Sequence, residues 1–102
     1  RKIKTGITMA EKQRLSIIIP SFKRQIAVME LLGRLKTQEL QPFEIVIVEQ
    51  SEDPDFVKNL QGYDSCINVI TSPPVGPAAA RNIGIRHSTG DILLFIDDDD
   101  LP

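Results

Sequence analysis

The chain has one cysteine, Cys66, and one histidine, His87, in 102 residues. A lone cysteine excludes an intramolecular disulfide framework and any cysteine-based metal site, and a lone histidine excludes a multi-histidine centre. Such cysteine usage fits a reducing compartment, so the expected location is the cytoplasm, reaching at most the cytoplasmic face of a membrane. Long apolar runs are missing too. The longest, such as ILLFI at 92–96, falls far short of the roughly 18 residues needed to cross a bilayer. No secretory signal is readable, and membrane association is expected only through regions outside this sequence. Neither G-x-G-x-x-G after the first apolar run nor G-x-x-x-x-G-K-S/T occurs, which leaves a dinucleotide fingerprint and a P-loop unsupported. Ser21 and Ser51 have no histidine nearby in sequence to activate them, so a Ser-His-Asp reading has little basis.

The composition, 41% apolar and 25% charged, is that of one ordinary folded unit, long enough for one core and too short for two. Residue 1 is Arg and the chain stops at Leu101-Pro102 after four aspartates, which suggests a piece of something larger, with Met9 a candidate natural start. The net charge of −2 conceals an asymmetry. Residues 1–40 hold nine Lys/Arg and three Asp/Glu, whereas 41–102 hold three and eleven. A basic stretch can favour nucleic acid or an anionic membrane surface. Here the positive charges are spread and no aromatics interleave with them, so residues 1–14 are read as a flexible lead-in and no nucleic-acid partner is expected.

From Leu15 the pattern is regular. LSIIIP at 15–20 and EIVIVE at 44–49 are short apolar runs suited to strands buried on both faces. Between them, Ile26, Met29, Leu31, Leu32 and Leu35 recur at helical spacing over 25–38. Asp53 before Pro54 reads as an N-cap followed by proline at the first helical position, with Phe56, Val57 and Leu60 facing inward. CINVIT at 66–71 is a third strand, with Cys66 in the core, and SPPVGP at 72–77 is a loop. Pro77 then opens a helix that packs Ala79, Ala80 and Ile83 on the sheet and stops at Gly90. DILLFI at 91–96 is the fourth strand. Four strands alternating with three helices predict an α/β, Rossmann-like, mainly parallel sheet with helices on both faces.

In such a sheet, ligands bind beyond the carboxyl ends of the strands, near the point where strand order reverses. That nominates Pro20-Ser21-Phe22, Glu49-Gln50-Ser51 and Asp97 to Asp100 as one crevice. Four adjacent carboxylates at a strand end repel one another, and a cation relieves this. All-oxygen ligation suits Mg²⁺ or Mn²⁺, which also bind substrate phosphates. The competing reading is a solvated acidic tail, but the run follows an apolar strand directly. In VGPAAARN at 75–82, Gly76 permits close backbone approach, and the helix start with Arg81 one turn in suits an anion; the small alanines equally suit close packing. Phe22 serves either base stacking or loop packing. His87 sits where it can favour a helix C-terminus.

LSIIIPSFKR at 15–24, EIVIVEQSED at 44–53, GPAAARNIGI at 76–85 and GDILLFIDDDDLP at 90–102 resemble, in order and spacing, the N-terminal nucleotide-binding half of family 2 glycosyltransferases of the GT-A fold. The resemblance covers about residues 15–102 and implies transfer of a sugar from a nucleotide-diphosphate sugar to a saccharide or lipid-linked acceptor, with inversion and a divalent metal. By position it implies that Pro20, Ser21, Phe22, Glu49, Gln50, Arg81 and Asp98 bind nucleotide, Pro20 and Phe22 lining the base end and Asp98 at the ribose. It further implies that Asp99 ligands the metal, with Asp97 supporting. The family usually has two aspartates where this chain has Glu49-Gln50. An amide at Gln50 offers both donor and acceptor, which leaves the recognised base open. Lys23 adds positive charge near the phosphates. The general base belongs to the acceptor half, beyond residue 102, so this piece is expected to bind nucleotide and metal and to transfer no sugar. A nucleotidyltransferase is the first alternative, although the basic glycine-rich loop it usually carries is reduced to PSFKR. The second is a non-catalytic nucleotide-binding or switch domain, although an isolated phosphoacceptor aspartate and a later lysine are not evident.

Overall fold

A computed structural model describes residues 13–39 and 41–97. Most of the lead-in expected over 1–14, including Met9, and the aspartates Asp98, Asp99 and Asp100 lie outside the described residues. Strands β1 (Leu15–Ser21), β2 (Glu44–Glu49), β3 (Ile67–Thr71) and β4 (Ile92–Phe95) alternate with helices α1 (Gln25–Lys36), α2 (Pro54–Gln61) and α3 (Pro77–His87). All pairings are parallel and the strand order is β3-β2-β1-β4. The chain steps from β1 outward to β3, then crosses back to place β4 on the other side of β1. Strand order therefore reverses between β1 and β4, where a parallel sheet opens its ligand crevice.

The two central strands are the apolar runs of the sequence. Every residue of β1 is buried, and Ile17, Ile18 and Ile19 pair in register with Ile45, Val46 and Ile47. One face of the sheet, with Leu15, Ile17, Ile19, Ile45 and Ile47, packs on α1 and α2. The opposite face, with Ile18 and Val48, receives α3 through Gly84, where an added Cβ would collide with the Ile18 side chain. Helices therefore cover both faces, as the alternation predicts.

Local differences from the sequence reading have physical causes. The buried stripe of α1 is Val28, Leu31, Leu32 and Leu35, spaced as one helical face. Ile26, expected on that face, is 77% exposed because two residues of helix turn it about 200° from Val28. Each buried aliphatic of the stripe contributes roughly 1.5–3 kcal/mol. Helix α2 starts as expected, with the Asp53 carboxylate accepting from Asp55 N–H and Phe56 N–H at 3.1 and 3.2 Å. Its buried residues are Phe56 and Leu60, and Val57 is only half-buried. Strand β3 begins at Ile67, so Cys66 precedes it, half-buried against the edge of the core. Helix α3 buries Ala80 and Gly84, with Ala79 and Ile83 half-buried.

Gly90 does not cap α3, which ends at His87 with Ser88 extended. Its N–H donates to Ser16 Oγ at 2.9 Å, and a Cβ there would meet Ser16 Oγ and sit 2.8 Å from the Arg14 carbonyl. The same corner holds Glu44, whose Oε2 accepts from Ser16 Oγ at 2.7 Å and from the N–H and Oγ1–H of Thr89. This polar cluster fastens the turn after α3 to the amino ends of β1 and β2, the end of the sheet away from the crevice.

Candidate functional site

Short backbone hydrogen bonds join the carboxyl end of β2 to that of β1 on one side and to that of β3 on the other. Gln50 N–H donates to the Ser21 carbonyl at 2.9 Å, and Ser72 N–H donates to the Glu49 carbonyl at 3.1 Å. In the loop after each of the strands β1 and β2 one residue takes the left-handed region, Lys23 at φ 54° and Glu52 at φ 55°. Such positions are uncommon outside glycine and need compensation. It comes from Lys23 N–H donating to Ser51 Oγ at 2.6 Å and Ser51 N–H donating to Glu49 Oε1 at 3.0 Å. Gln25 Nε2 donates to Asp53 Oδ2 at 2.8 Å, and this bond, ahead of the Phe56 N–H, holds the Asp53 carboxyl below its ordinary value. The loops after β1 and β2 are thus tied to each other by side-chain hydrogen bonds.

Between these loops and α3 lies a crevice of about 450 Å³, lined by Pro20, Phe22, Arg24, Gln50, Pro74, Gly76, Pro77, Arg81 and Asp97. Gly76 has φ 89°, a backbone that L side chains rarely adopt, and nothing lies within 4 Å of the Cβ position, so conformation alone requires glycine there. Arg81 Nη2 donates to Asp97 Oδ1 and Oδ2 at 2.8 and 3.0 Å, with both side chains about one-third exposed. Gln50 is almost fully buried and has both ends of its amide engaged. Oε1 accepts from Val75 N–H at 3.0 Å and Nε2 donates to the Ser21 carbonyl at 3.3 Å.

Of the residues singled out in the sequence, Pro20, Phe22, Gln50, Arg81 and Asp97 meet in this crevice. Ser21 and Glu49 do not line it. They are register partners in the sheet, both about 1% exposed, and Ser21 Oγ donates to Glu49 Oε2 at 3.4 Å. Strand alternation explains this, since side chains at 20 and 22 project opposite to the one at 21, and 50 opposite to 49. Asp98 and Asp99 lie outside the described residues. Lys23 does not line the crevice. Its ammonium stands 5.2 Å from the Phe22 ring centroid and borders an adjoining groove. Arg24, which sequence reasoning passed over, reaches the crevice instead.

A divalent cation is the group that the family resemblance implies. No cluster of three or more potential ligands occurs among the described residues. The Asp97 carboxylate at the crevice is an oxygen donor of the kind Mg²⁺ and Mn²⁺ accept, and these ions need only one or two carboxylates beside phosphates and water. The donor chemistry present therefore fits, with Asp97 already held by Arg81.

A parallel α/β sheet with its crevice at the strand-order reversal, floored by strand ends and closed by a helix start, defines a nucleotide-binding type of domain. Comparison with known proteins places it further. Residues 16–102 match the profile of Glycosyl transferase family 2, and the chain belongs to that family. An uncharacterized glycosyltransferase of Haemophilus influenzae is 42% identical over 87 residues, covering 84% of this chain and 29% of that protein. A mannosyltransferase from Pyrobaculum calidifontis, solved in complex with GDP-Man and Mn²⁺, superposes with TM-score 0.72 at 27% identity, over 85% of this chain and 28% of that one. Staphylococcus aureus TarS in complex with UDP superposes with TM-score 0.66 at 28% identity, over 84% of this chain and 27% of that one. The chain thus spans less than a third of the length of each of these three relatives. The fold expectation holds, and the family is that of glycosyltransferases rather than nucleotidyltransferases or switch domains. No helix among the described residues is long and apolar enough to cross a membrane.

Proposed function

We infer that this chain forms the donor side of a glycosyltransferase and receives a nucleotide-diphosphate sugar in the crevice at the β1–β4 reversal. The observation that carries the reading is the convergence of Pro20, Phe22, Gln50, Arg81 and Asp97 on one crevice from three strand ends and a helix start. Pro20 and Phe22 border the base end. Gln50 fixes the loop over it through Val75. Arg81 holds Asp97 at the opposite side, next in sequence to Asp98 for the ribose and Asp99 for the metal. A divalent cation bound there would neutralise charge on the departing diphosphate. The transfer in the whole protein is read as inverting, the acceptor hydroxyl attacking the anomeric carbon opposite the leaving group while a general base takes its proton. No described crevice residue is assigned as that base, because the Asp97 carboxylate is tied to Arg81. The acceptor is a saccharide or lipid-linked glycan, and the enzyme works in the cytoplasm or at the cytoplasmic membrane face.

Titration calorimetry with UDP and GDP, with and without Mn²⁺ or Mg²⁺, tests the reading. Metal-dependent binding that Asp99→Ala abolishes is expected. Metal-independent binding indifferent to Asp99→Ala would overturn the metal assignment, and no binding of either nucleotide would overturn the donor site. This chain alone is expected to transfer no sugar, and transfer from a labelled nucleotide sugar would contradict that.

A further inference from the structure

The crevice holds two arginines in different electrostatic states. Arg81 is neutralised, its Nη2 within 3.0 Å of both Asp97 oxygens. Arg24 also lines the crevice, and its guanidinium has no ion pair or hydrogen bond with any described residue. It is held at its base rather than its tip. Its carbonyl accepts from Val28 N–H at 2.9 Å, the opening bond of α1, and the preceding Lys23 is fixed through Ser51. Two carboxylates close to the end of β2 are committed. Glu49 faces Ser51 and Ser21, and Asp53 caps α2 and accepts from Gln25. Among the described lining residues, Arg24 is therefore the uncompensated charge.

We propose that Arg24 is a donor-binding residue that receives the diphosphate of the nucleotide sugar. This rests on the donor-site reading above and adds a phosphate contact that neither Arg81 nor Lys23 supplies. A guanidinium presents five N–H donors in a planar fork that matches paired phosphate oxygens. A fork with no ion pair among the described residues gives up none of theirs on binding, whereas Arg81 must share or release Asp97. Charge-assisted hydrogen bonds of this kind are about twice as strong as neutral ones. The anchored loop limits the backbone ordering that binding costs.

The test compares wild type, Arg24→Ala and Arg24→Lys in titrations with UDP, uridine and inorganic pyrophosphate at fixed Mg²⁺ and two salt concentrations. Arg24→Ala is expected to weaken UDP and pyrophosphate about 10-fold or more, to flatten the salt dependence, and to leave uridine unchanged. Arg24→Lys, which keeps the charge and loses the fork, is expected to recover part of the loss. Arg24 is exposed, so thermal melting of both variants should match wild type. Unchanged UDP affinity in Arg24→Ala overturns the proposal while leaving the donor site standing. An equal loss for uridine and UDP also overturns it, by moving the contact to the nucleoside. Where the wild type binds GDP and not UDP, the same comparison is made with GDP and guanosine, and failure of the wild type to bind either nucleotide removes the donor-site reading itself.

Discussion

Arg81 and Asp97 close the crevice with an ion pair in which one nitrogen, Nη2, stands 2.8 and 3.0 Å from the two carboxylate oxygens. The pair links α3 to the residues just beyond β4, and both side chains are 35% exposed. Partly exposed pairs of this kind contribute at most about 1 kcal/mol, screened further by salt. Its value is orientation rather than stability. Arg81→Ala is expected to lower urea-denaturation stability by less than about 1 kcal/mol while weakening UDP binding several-fold. A large stability loss with unchanged nucleotide affinity would reverse that assignment.

Two helical glycines should respond to alanine in opposite directions. Gly33 in α1 has nothing within 4 Å of its Cβ position, so Gly33→Ala is expected to stabilise by roughly 0.5–1 kcal/mol through helix propensity. Gly84 in α3 lies against the Ile18 side chain in the buried middle of the sheet, where a Cβ has no room. Gly84→Ala is expected to destabilise by about 1–3 kcal/mol through overpacking. Thermal melts of the two variants side by side measure the difference, and the same sign for both would refute this account of α3 packing.

Glu44 makes stability depend on acid. Burial acts to raise its pKa, but the hydrogen bonds from Thr89 N–H, Ser16 Oγ–H, Thr89 Oγ1–H and Gly90 N–H outweigh it, leaving the carboxyl below its ordinary value. A carboxyl depressed in the folded state adds stability that is fully present above its unfolded pKa and is lost as pH falls through the folded value. Melting temperature is therefore expected to fall on acidification below the ordinary glutamate range. Glu44→Gln should flatten that limb of the curve, and an unchanged limb would assign the acid sensitivity elsewhere.

What could be read in advance follows from the range of the forces involved. Strands β1 and β2 are continuous apolar runs, and the start of α2 is written in Asp53-Pro54, so nearest neighbours decide both. The site was legible because topology places strand ends together. Within it, period-two alternation separates Pro20 and Phe22 from Ser21, and Gln50 from Glu49, a signal present in the sequence. Gly90 was not legible, because a glycine ending a helix and one admitting the Ser16 backbone look alike until β1 is beside it. The choice of Arg24 over Lys23 depends on the left-handed backbone at Lys23, itself set by Ser51, 28 residues away.

Gln50 provides the sharpest test of how the crevice is built. Its amide links the Ser21 carbonyl at the end of β1 to Val75 N–H in the loop over 72–77, contacts separated from it by 29 and 25 residues. The side chain is only 3% exposed, and an apolar replacement leaves Val75 N–H without this acceptor and the Ser21 carbonyl with the Gln50 backbone N–H alone. Gln50→Leu is expected to cost about 1–3 kcal/mol, to speed hydrogen exchange at the Val75 amide, and to weaken UDP binding. Gln50→Glu separates the two bonds. Its carboxylate can still accept from Val75 N–H but, ionised, has no proton to donate to Ser21. That variant is expected to preserve Val75 protection better than Gln50→Leu while still losing nucleotide affinity, because the side-chain bond to the Ser21 carbonyl is replaced by repulsion between two acceptors while the backbone bond from Gln50 N–H remains. Equal Val75 exchange rates in wild type and Gln50→Leu would mean that the loop is held by its prolines and Gly76 alone.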